Sequence, residues 1–180
     1  MRQLLTFLTL ILLSCGSSKS NVELAEESKA FDELKRLVES GRFQFDAEVL
    51  YPLQTMDVIN VSNKLLRNTG NNGGRVSLST GYKIKIKNDS AIANLPYVGE
   101  VRISNAYING DDVGINFNNI IRDYNIDASK GLKVKFIVKD KVESYDIIMK
   151  LYADKTADVN IISSHRTSAK YRGRIIPLLK

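Results

Sequence analysis

The sequence has few of the residues on which disulfides, metal sites and aromatic sugar-binding platforms are most often built. Its 180 residues include one cysteine, one histidine, three prolines and no tryptophan. A lone cysteine excludes an internal disulfide and a multi-cysteine metal site, so the fold must depend on packing and strand pairing. The absence of tryptophan argues against a sugar platform, and zinc sites with one histidine and carboxylates are uncommon.

The sequence is basic overall, but its positive residues are spread along the chain. The formal net charge is +6, with 43% hydrophobic and 26% charged residues, which is ordinary for a globular chain of single-domain size. No basic run and no aromatic-basic RNA-binding motif is present. We therefore predict a solvated basic surface and no nucleic-acid partner. Attraction to anionic lipid headgroups or to an envelope polysaccharide is the alternative.

The N-terminus has the pattern of an export signal. Arg2 precedes an apolar run over residues 4–13, which is too short for the roughly 20 residues that cross a bilayer but fits a signal peptide. The run ends in Leu12-Leu13-Ser14-Cys15, which resembles the lipobox of bacterial lipoproteins, with Leu13 where a smaller residue is common. The resemblance implies cleavage between Ser14 and Cys15, with diacylglyceryl and N-acyl groups on Cys15. The alternative is a cysteine buried in an N-terminal core helix.

This pattern divides the chain into three parts. Residues 1–14 are predicted as the signal peptide, residues 15–20 as a lipidated tether, and residues 21–180 as one globular domain. The domain begins with a helix over residues 21–40, with Ser20 and Glu23 as a capping box and Gly41 directly after its end. Its apolar residues recur at helical spacing and should dock on the protein's own sheet or, as the alternative, bind a partner: Ala30, Phe31, Leu34, Leu37 and Val38.

The remainder, residues 42–176, has the period-two alternation of β-strands. In the first strand the predicted inward residues are Phe43, Phe45, Ala47, Val49 and Tyr51, and Pro52 ends the strand or puts it at an edge. Gly81 predicts a bulge or tight turn. The residues after 132 predict a three-stranded meander and a last strand that contains Gly173. About nine or ten antiparallel strands after one amphipathic N-terminal helix predict a mainly β fold, with the sheet curled into a barrel, half-barrel or sandwich.

Three motifs resemble one family of exported bacterial proteins. Residues 88–99 read Asn-Asp-Ser-Ala-Ile-Ala-Asn-Leu-Pro-Tyr-Val-Gly, residues 114–117 read Gly-Ile-Asn-Phe, and residues 168–173 read Ser-Ala-Lys-Tyr-Arg-Gly. Together they resemble the domain of unknown function 4251 family, although Val98 replaces its usual aromatic residue. The resemblance covers residues 43–175. It implies a Gram-negative envelope lipoprotein without an assigned activity or a catalytic residue.

The remaining candidate sites each have an ordinary structural explanation. His165 is flanked by Ser163, Ser164 and Ser168, but neighbours in a strand do not form a catalytic relay, so a surface histidine is favoured. The acidic residues Asp111, Asp112, Asp123 and Asp127 lack calcium-loop spacing and favour turns. Asp46, Glu48 and Asp57 could act as acid and base only if two of their carboxylates lay a fixed distance apart. Their spacing along the sequence does not establish that distance. Asp89-Ser90-Ala91 resembles a short O-glycosylation signal of some envelope proteins.

Arg172 and Tyr171 are the candidate ligand contacts, because an arginine fork binds carboxylate or phosphate groups. A glycine-bulged strand with solvated arginines is the alternative. From the sequence we expect no enzyme, no metal and no cofactor beyond the lipid on Cys15. We expect a lipid-anchored binding or structural module on the periplasmic face of the outer membrane, with a membrane contact and an envelope protein or polysaccharide as partner. A barrel that carries a small apolar ligand is the alternative.

Overall fold

The described part of the chain contains one long helix and nine strands. The structure is a computed structural model that describes residues 21–52, 60, 63–64, 74–102 and 114–178. The helix α1 spans Asn21–Glu39. The strands follow in chain order: β1 (Arg42–Pro52), β2 (Val76–Ser77), β3 (Lys83–Lys87), β4 (Ser90–Leu95), β5 (Ile115–Asp127), β6 (Leu132–Lys139), β7 (Ser144–Leu151), β8 (Thr156–Ser163) and β9 (Ala169–Pro177).

The strands close into an eight-stranded antiparallel barrel. The order around the ring is β1-β3-β4-β5-β6-β7-β8-β9, and β9 pairs again with β1. The short strand β2 is a ninth, additional strand, which pairs with the second half of β1 at Val49 and Leu50. Closure removes the open edges that a flat sheet of this size would leave. Among the predicted alternatives, the closed barrel is therefore the correct one.

The helix lies across one mouth of the barrel. It contacts β1 and β6, which stand on opposite sides of the ring. Leu34 and Val38 of α1 are completely buried, so the predicted docking of the apolar stripe on the protein's own sheet is confirmed. Gly41 has a positive φ of 63°, and its N–H donates to the carbonyl of Val38, as predicted for a helix C-terminus. We call this mouth the helix end and the opposite mouth the far end.

Inward side chains fill the barrel. The predicted meander of β6, β7 and β8 is confirmed, because its alternate apolar residues are all buried. Many inward residues have no surface that a water molecule can reach, so at these positions the interior has no space for a ligand: Phe43, Phe45, Leu50, Ile84, Ile86, Leu132, Val134, Phe136, Val138, Ile147, Met149, Val159 and Tyr171.

The predicted inward set of β1 is wrong at its second half. Phe43, Phe45 and Ala47 are buried as expected, but Leu50 is buried in place of Val49 and Tyr51. The register with β9 shifts between Ala47 and Val49, so the strand has a bulge that inserts one residue. One extra residue reverses the face on which every later side chain lies. Pro52 ends the strand as predicted, and Gly81, with φ 115°, lies in the turn that separates β2 from β3.

Candidate functional site

A buried ion pair lies at the far end of the barrel. Glu143 immediately precedes β7, and Arg166 lies in the connection between β8 and β9. Arg166 Nε donates to Glu143 Oε2 at 3.2 Å, and both residues are only 6% exposed. They are the two buried charged residues among the residues that the structure describes. Removing two charges from water costs several kcal/mol per ion unless other hydrogen bonds accompany the pairing, so the surrounding donors and acceptors matter.

Those partners are present on both sides of the pair. The Glu143 carboxylate accepts hydrogen bonds from the hydroxyl of Tyr145 at 2.8 Å and from the hydroxyl of Ser163. Arg166 Nη1 donates to the carbonyl oxygen of Gly114 at 2.8 Å. The guanidinium also lies 5.3 Å from the ring centre of Tyr97, within cation–π range. We call Glu143, Arg166, Tyr145, Ser163 and Tyr97 the far-end cluster.

Burial keeps the phenol of Tyr145 protonated. Desolvation is the largest cause that raises its pKa above the ordinary value, and the hydrogen bond and charge of Glu143 raise it further. The phenol is therefore a permanent donor to Glu143 at physiological pH. A group held in that state supports the ion pair and is unsuited to exchange protons with a substrate.

Tyr97 explains the Leu-Pro-Tyr-Val-Gly motif. Its hydroxyl oxygen lies 2.7 Å from Thr167 Oγ1 and within 3.1 Å of the backbone carbonyls of Glu100 and Thr167. A Cβ atom on Gly99 would overlap this hydroxyl and would lie 2.6 Å from Thr167 Oγ1. A side chain at position 99 would therefore displace Tyr97 or Thr167, where the segment after β4 approaches the connection between β8 and β9. The motif therefore holds the segment after β4 against the connection between β8 and β9 at the far end.

The serines and the histidine around residue 165 form turn contacts. Ser163 Oγ accepts from the backbone N–H groups of His165 at 2.9 Å and Arg166 at 3.0 Å. Ser164 Oγ lies 2.7 Å from His165 Nδ1. The imidazole and the Glu143 carboxylate thus use two different hydroxyls, whereas a catalytic relay places one imidazole between a hydroxyl and a carboxylate.

The two predicted ligand contacts lie on opposite faces of β9. Tyr171 is fully buried, and its hydroxyl donates to the carbonyl oxygen of Pro96 at 2.8 Å. Burial raises the pKa of Tyr171 above its ordinary value, with Tyr97 a smaller cause. Arg172 is half exposed and lies 3.9 Å from Asp158. Only Arg172 of the two can reach an external ligand.

The other sequence candidates separate as well. Glu48, at the bulge, pairs with Arg174 at 3.3 Å, and Asp46 accepts from Gln44 Nε2 at 2.5 Å. Asp127 holds Ser129 in the turn before β6, and hydrogen bonds from the hydroxyl and N–H of Ser129 lower the pKa of Asp127. No set of three metal-ligating side chains occurs within the described ranges. The predictions on Ser14, Cys15, Asp57, Asp111 and Asp112 lie outside the described residues.

Sequence reasoning did not single out Glu143 or Arg166. Glu143 stands in a short polar turn, and Arg166 lies 23 residues later in an irregular segment, so neither belongs to a periodic pattern. The sequence contains one weak indication of the pair. Glu143 and Arg166 each stand in a connection that leads into a strand rich in apolar residues.

Comparisons with known proteins give a family and a fold. The family model described as "Domain of unknown function (DUF4251)" matches residues 25–175. The crystal structure of a DUF4251 family protein from Bacteroides eggerthii is similar to this chain, with a TM-score of 0.55 and 13% sequence identity. The likeness covers 85% of this chain and 91% of that chain, and at this identity it concerns the fold. No curated protein matches the chain.

Proposed function

The chain belongs to the DUF4251 family, and on that premise we propose that it is a lipid-anchored protein of the cell envelope that acts as a binding or structural module. The filled barrel is the observation that supports a binding or structural module. Because the inward side chains of the described strands occupy the interior, we expect a partner to be recognised on the outer wall, at the rims or along the helix. The same observation favours the module over a carrier with its ligand inside the barrel.

The position of the helix supports an anchor at the N-terminus. The helix α1 begins at Asn21, six residues after Cys15, and lies across one mouth of the barrel. A lipid on Cys15 would therefore hold the domain by the helix end and leave the far end and most of the outer wall available to partners. Two or three acyl chains give firm attachment, whereas one gives only marginal binding. Within the described part of the chain, no helix has the length and hydrophobicity needed to cross a membrane.

The far-end cluster supports a role without catalysis. Its carboxylate accepts hydrogen bonds from Tyr145, Ser163 and Arg166, so most of its roughly four acceptor sites are used within the protein. A general base must be free to take a proton from a substrate within hydrogen-bond reach. We infer that this cluster holds three chain segments together, and we propose that the domain is not an enzyme.

Metabolic labelling tests the anchor. Cells that make the full chain are grown with radiolabelled palmitate, and the protein is recovered from separated membranes. We expect the label in the wild type and in Ser18→Ala, and its loss in Cys15→Ala. The Cys15→Ala protein should retain its first fourteen residues by mass spectrometry. An unlabelled wild-type protein that keeps Met1 would overturn the proposal.

Protease accessibility tests the side of the membrane. The residues directly after Cys15 are Gly16, Ser17 and Ser18, without an acidic run. By resemblance to lipoproteins that need such a run for surface display, we propose the periplasmic face of the outer membrane. Protease added to intact cells should leave the protein whole, and the same protease should digest it once the outer membrane is permeabilised. Digestion in intact cells would place the protein on the cell surface.

A further inference from the structure

A groove of about 410 Å³ runs between the first half of α1 and the turns at the helix end. The helix contributes Leu24, Ser28 and Phe31, and the barrel contributes residues 151–153, a Leu-Tyr-Ala segment. We call this the helix groove. Its volume is within the range of about 300–1,000 Å³ that is typical of small-molecule sites and its walls are mainly apolar, but it is largely open to solvent.

The helix groove is the uncovered half of an otherwise buried stripe. Leu24, Phe31 and Val38 are seven residues apart and lie on one face of α1. Val38 is 0% exposed and packs on the barrel core, whereas Leu24 is 50% exposed. The apolar face thus continues beyond the part of the barrel that covers it. An apolar ligand that lies along Leu24 and Phe31 would extend the packing of the helix.

Two cations flank the ring of Tyr152 on the outer wall of the barrel, next to the groove but outside the residues that line it. Tyr152, which lines it, has Lys150 Nζ 5.4 Å and Arg172 Cζ 6.0 Å from its ring centre. Asp158 accepts a hydrogen bond from the Tyr152 hydroxyl and pairs with Arg172 at 3.9 Å, so two positive charges face one carboxylate. Glu27 stands on the opposite, helical wall. Glu27 is therefore the charged side chain among the lining residues, and the two cations lie beyond Tyr152 on the barrel side.

We propose that the helix groove binds one long-chain fatty acid. The alkyl chain lies along Leu24 and Phe31, and the carboxylate lies on the barrel side near Lys150 and Arg172, away from Glu27. The volume suits one alkyl chain better than the two of a phospholipid. An acyl chain on Cys15 would carry no charge for the cations to bind. The proposal is independent of the anchor, since the groove is built only from described residues.

Photochemical labelling tests the proposal. The full chain, as cells make it, is placed in phosphatidylcholine vesicles or, if it proves unanchored, in solution. Palmitic acid with a diazirine on its alkyl chain is added and irradiated, and labelled residues are mapped by mass spectrometry. We expect the label on the first half of α1 and on residues 151–153. Leu24→Glu, and Ser28→Phe, which fills the groove without charge, should each lower labelling about tenfold, the effect of losing one good apolar contact.

Matched variants separate the groove from general hydrophobicity. Val22 is 68% exposed on the same helix and does not line the groove, so Val22→Glu should leave labelling unchanged. The double variant Lys150→Gln with Arg172→Gln should lower labelling about fivefold, as expected for exposed charges, whereas Lys85→Gln on β3 should not. Unchanged thermal unfolding of each variant shows that the fold is retained.

Four results would overturn the fatty-acid proposal. One is equal damage by Val22→Glu and Leu24→Glu, and another is a label on the inward residues of the barrel. A third is equal labelling by the methyl ester of the same probe, which carries no charge. The last is stronger labelling by a diazirine phosphatidylcholine, which would make a membrane phospholipid the occupant. None of these results bears on palmitate incorporation at Cys15, so the two proposals fail separately.

Discussion

Gly173 of β9 lies directly opposite Ala47 of β1, and the carbonyl oxygen of Asp46 occupies the space that a side chain at position 173 would need. This contact coincides with the bulge in β1, where the register between the two strands shifts. The glycine thus allows the strands that close the barrel to approach each other at an irregular point.

Gly173→Ala should therefore destabilise the protein by about 3 kcal/mol or more, because a Cβ atom would overlap backbone that cannot move without opening the barrel seam. The measurement is the free energy of unfolding from denaturant titration. Gly131→Ala is the control, since that glycine has φ 91° but open space around a Cβ, and it should cost about 1 kcal/mol. Equal losses in the two variants would show that the seam accommodates a methyl group.

The far-end ion pair gives a second prediction. Replacing one partner leaves a buried charge uncompensated, so Glu143→Gln or Arg166→Met should each cost about 3–5 kcal/mol. Replacing both, as Glu143→Gln with Arg166→Met, should cost less than the sum of the two single changes. In the exposed pair of Glu48 and Arg174, Arg174→Met should cost less than about 1 kcal/mol. A single replacement in the far-end pair that leaves the unfolding midpoint unchanged would contradict its structural role.

Tyr124 connects the barrel to the end of the helix. Its hydroxyl donates at 2.9 Å to the carbonyl oxygen of Val38, which also accepts from the N–H of Gly41 just beyond the helix. Tyr124→Phe should therefore cost about 1 kcal/mol. Tyr51→Phe, on the outer wall, is the control and should have a smaller effect.

The same tyrosine predicts a loss of stability in alkali. Burial raises the pKa of Tyr124 from 10.0 to about 12. Between these values the unfolded chain releases the phenolic proton while the folded chain keeps it, so stability falls as the pH rises. Unfolding curves at pH 9 and pH 11 should show a smaller decrease for Tyr124→Phe than for the wild type. An equal decrease in both proteins would assign the alkaline loss to other groups.

Asp154 predicts a loss of stability in acid. Hydrogen bonds from the side chain and the N–H of Thr156 lower its pKa below 3.8. The group therefore stabilises the fold above its unfolded pKa, and that contribution disappears as the pH falls through its folded pKa. Thr156→Val removes the hydroxyl donor and should reduce the stability difference between pH 7 and pH 2. Thr80→Val is the same change in an exposed turn and should leave that difference as in the wild type.

The sequence predicted the elements whose patterns are local. The meander of β6 to β8 was predicted correctly because Val134, Phe136 and Ile147 alternate with polar residues over several positions. The second half of β1 was predicted on the wrong face, since its bulge lies where the strand meets Gly173, more than 120 residues later. Closure of the barrel and the far-end cluster were also beyond local patterns, because they join segments that only the complete topology brings together.

Pairing of β1 with β9 joins the beginning and the end of the domain, and this has a consequence for the order of folding. Along one side, β1 pairs with Ala169–Pro177. The barrel therefore stays open until that stretch of the chain is available. Contacts so distant along the chain form slowly, because a long loop must close before they give any stability. In a chain that emerges progressively from a ribosome or a translocation channel, the earlier strands would remain incompletely packed for most of the passage. The domain would become compact only after β9 had emerged.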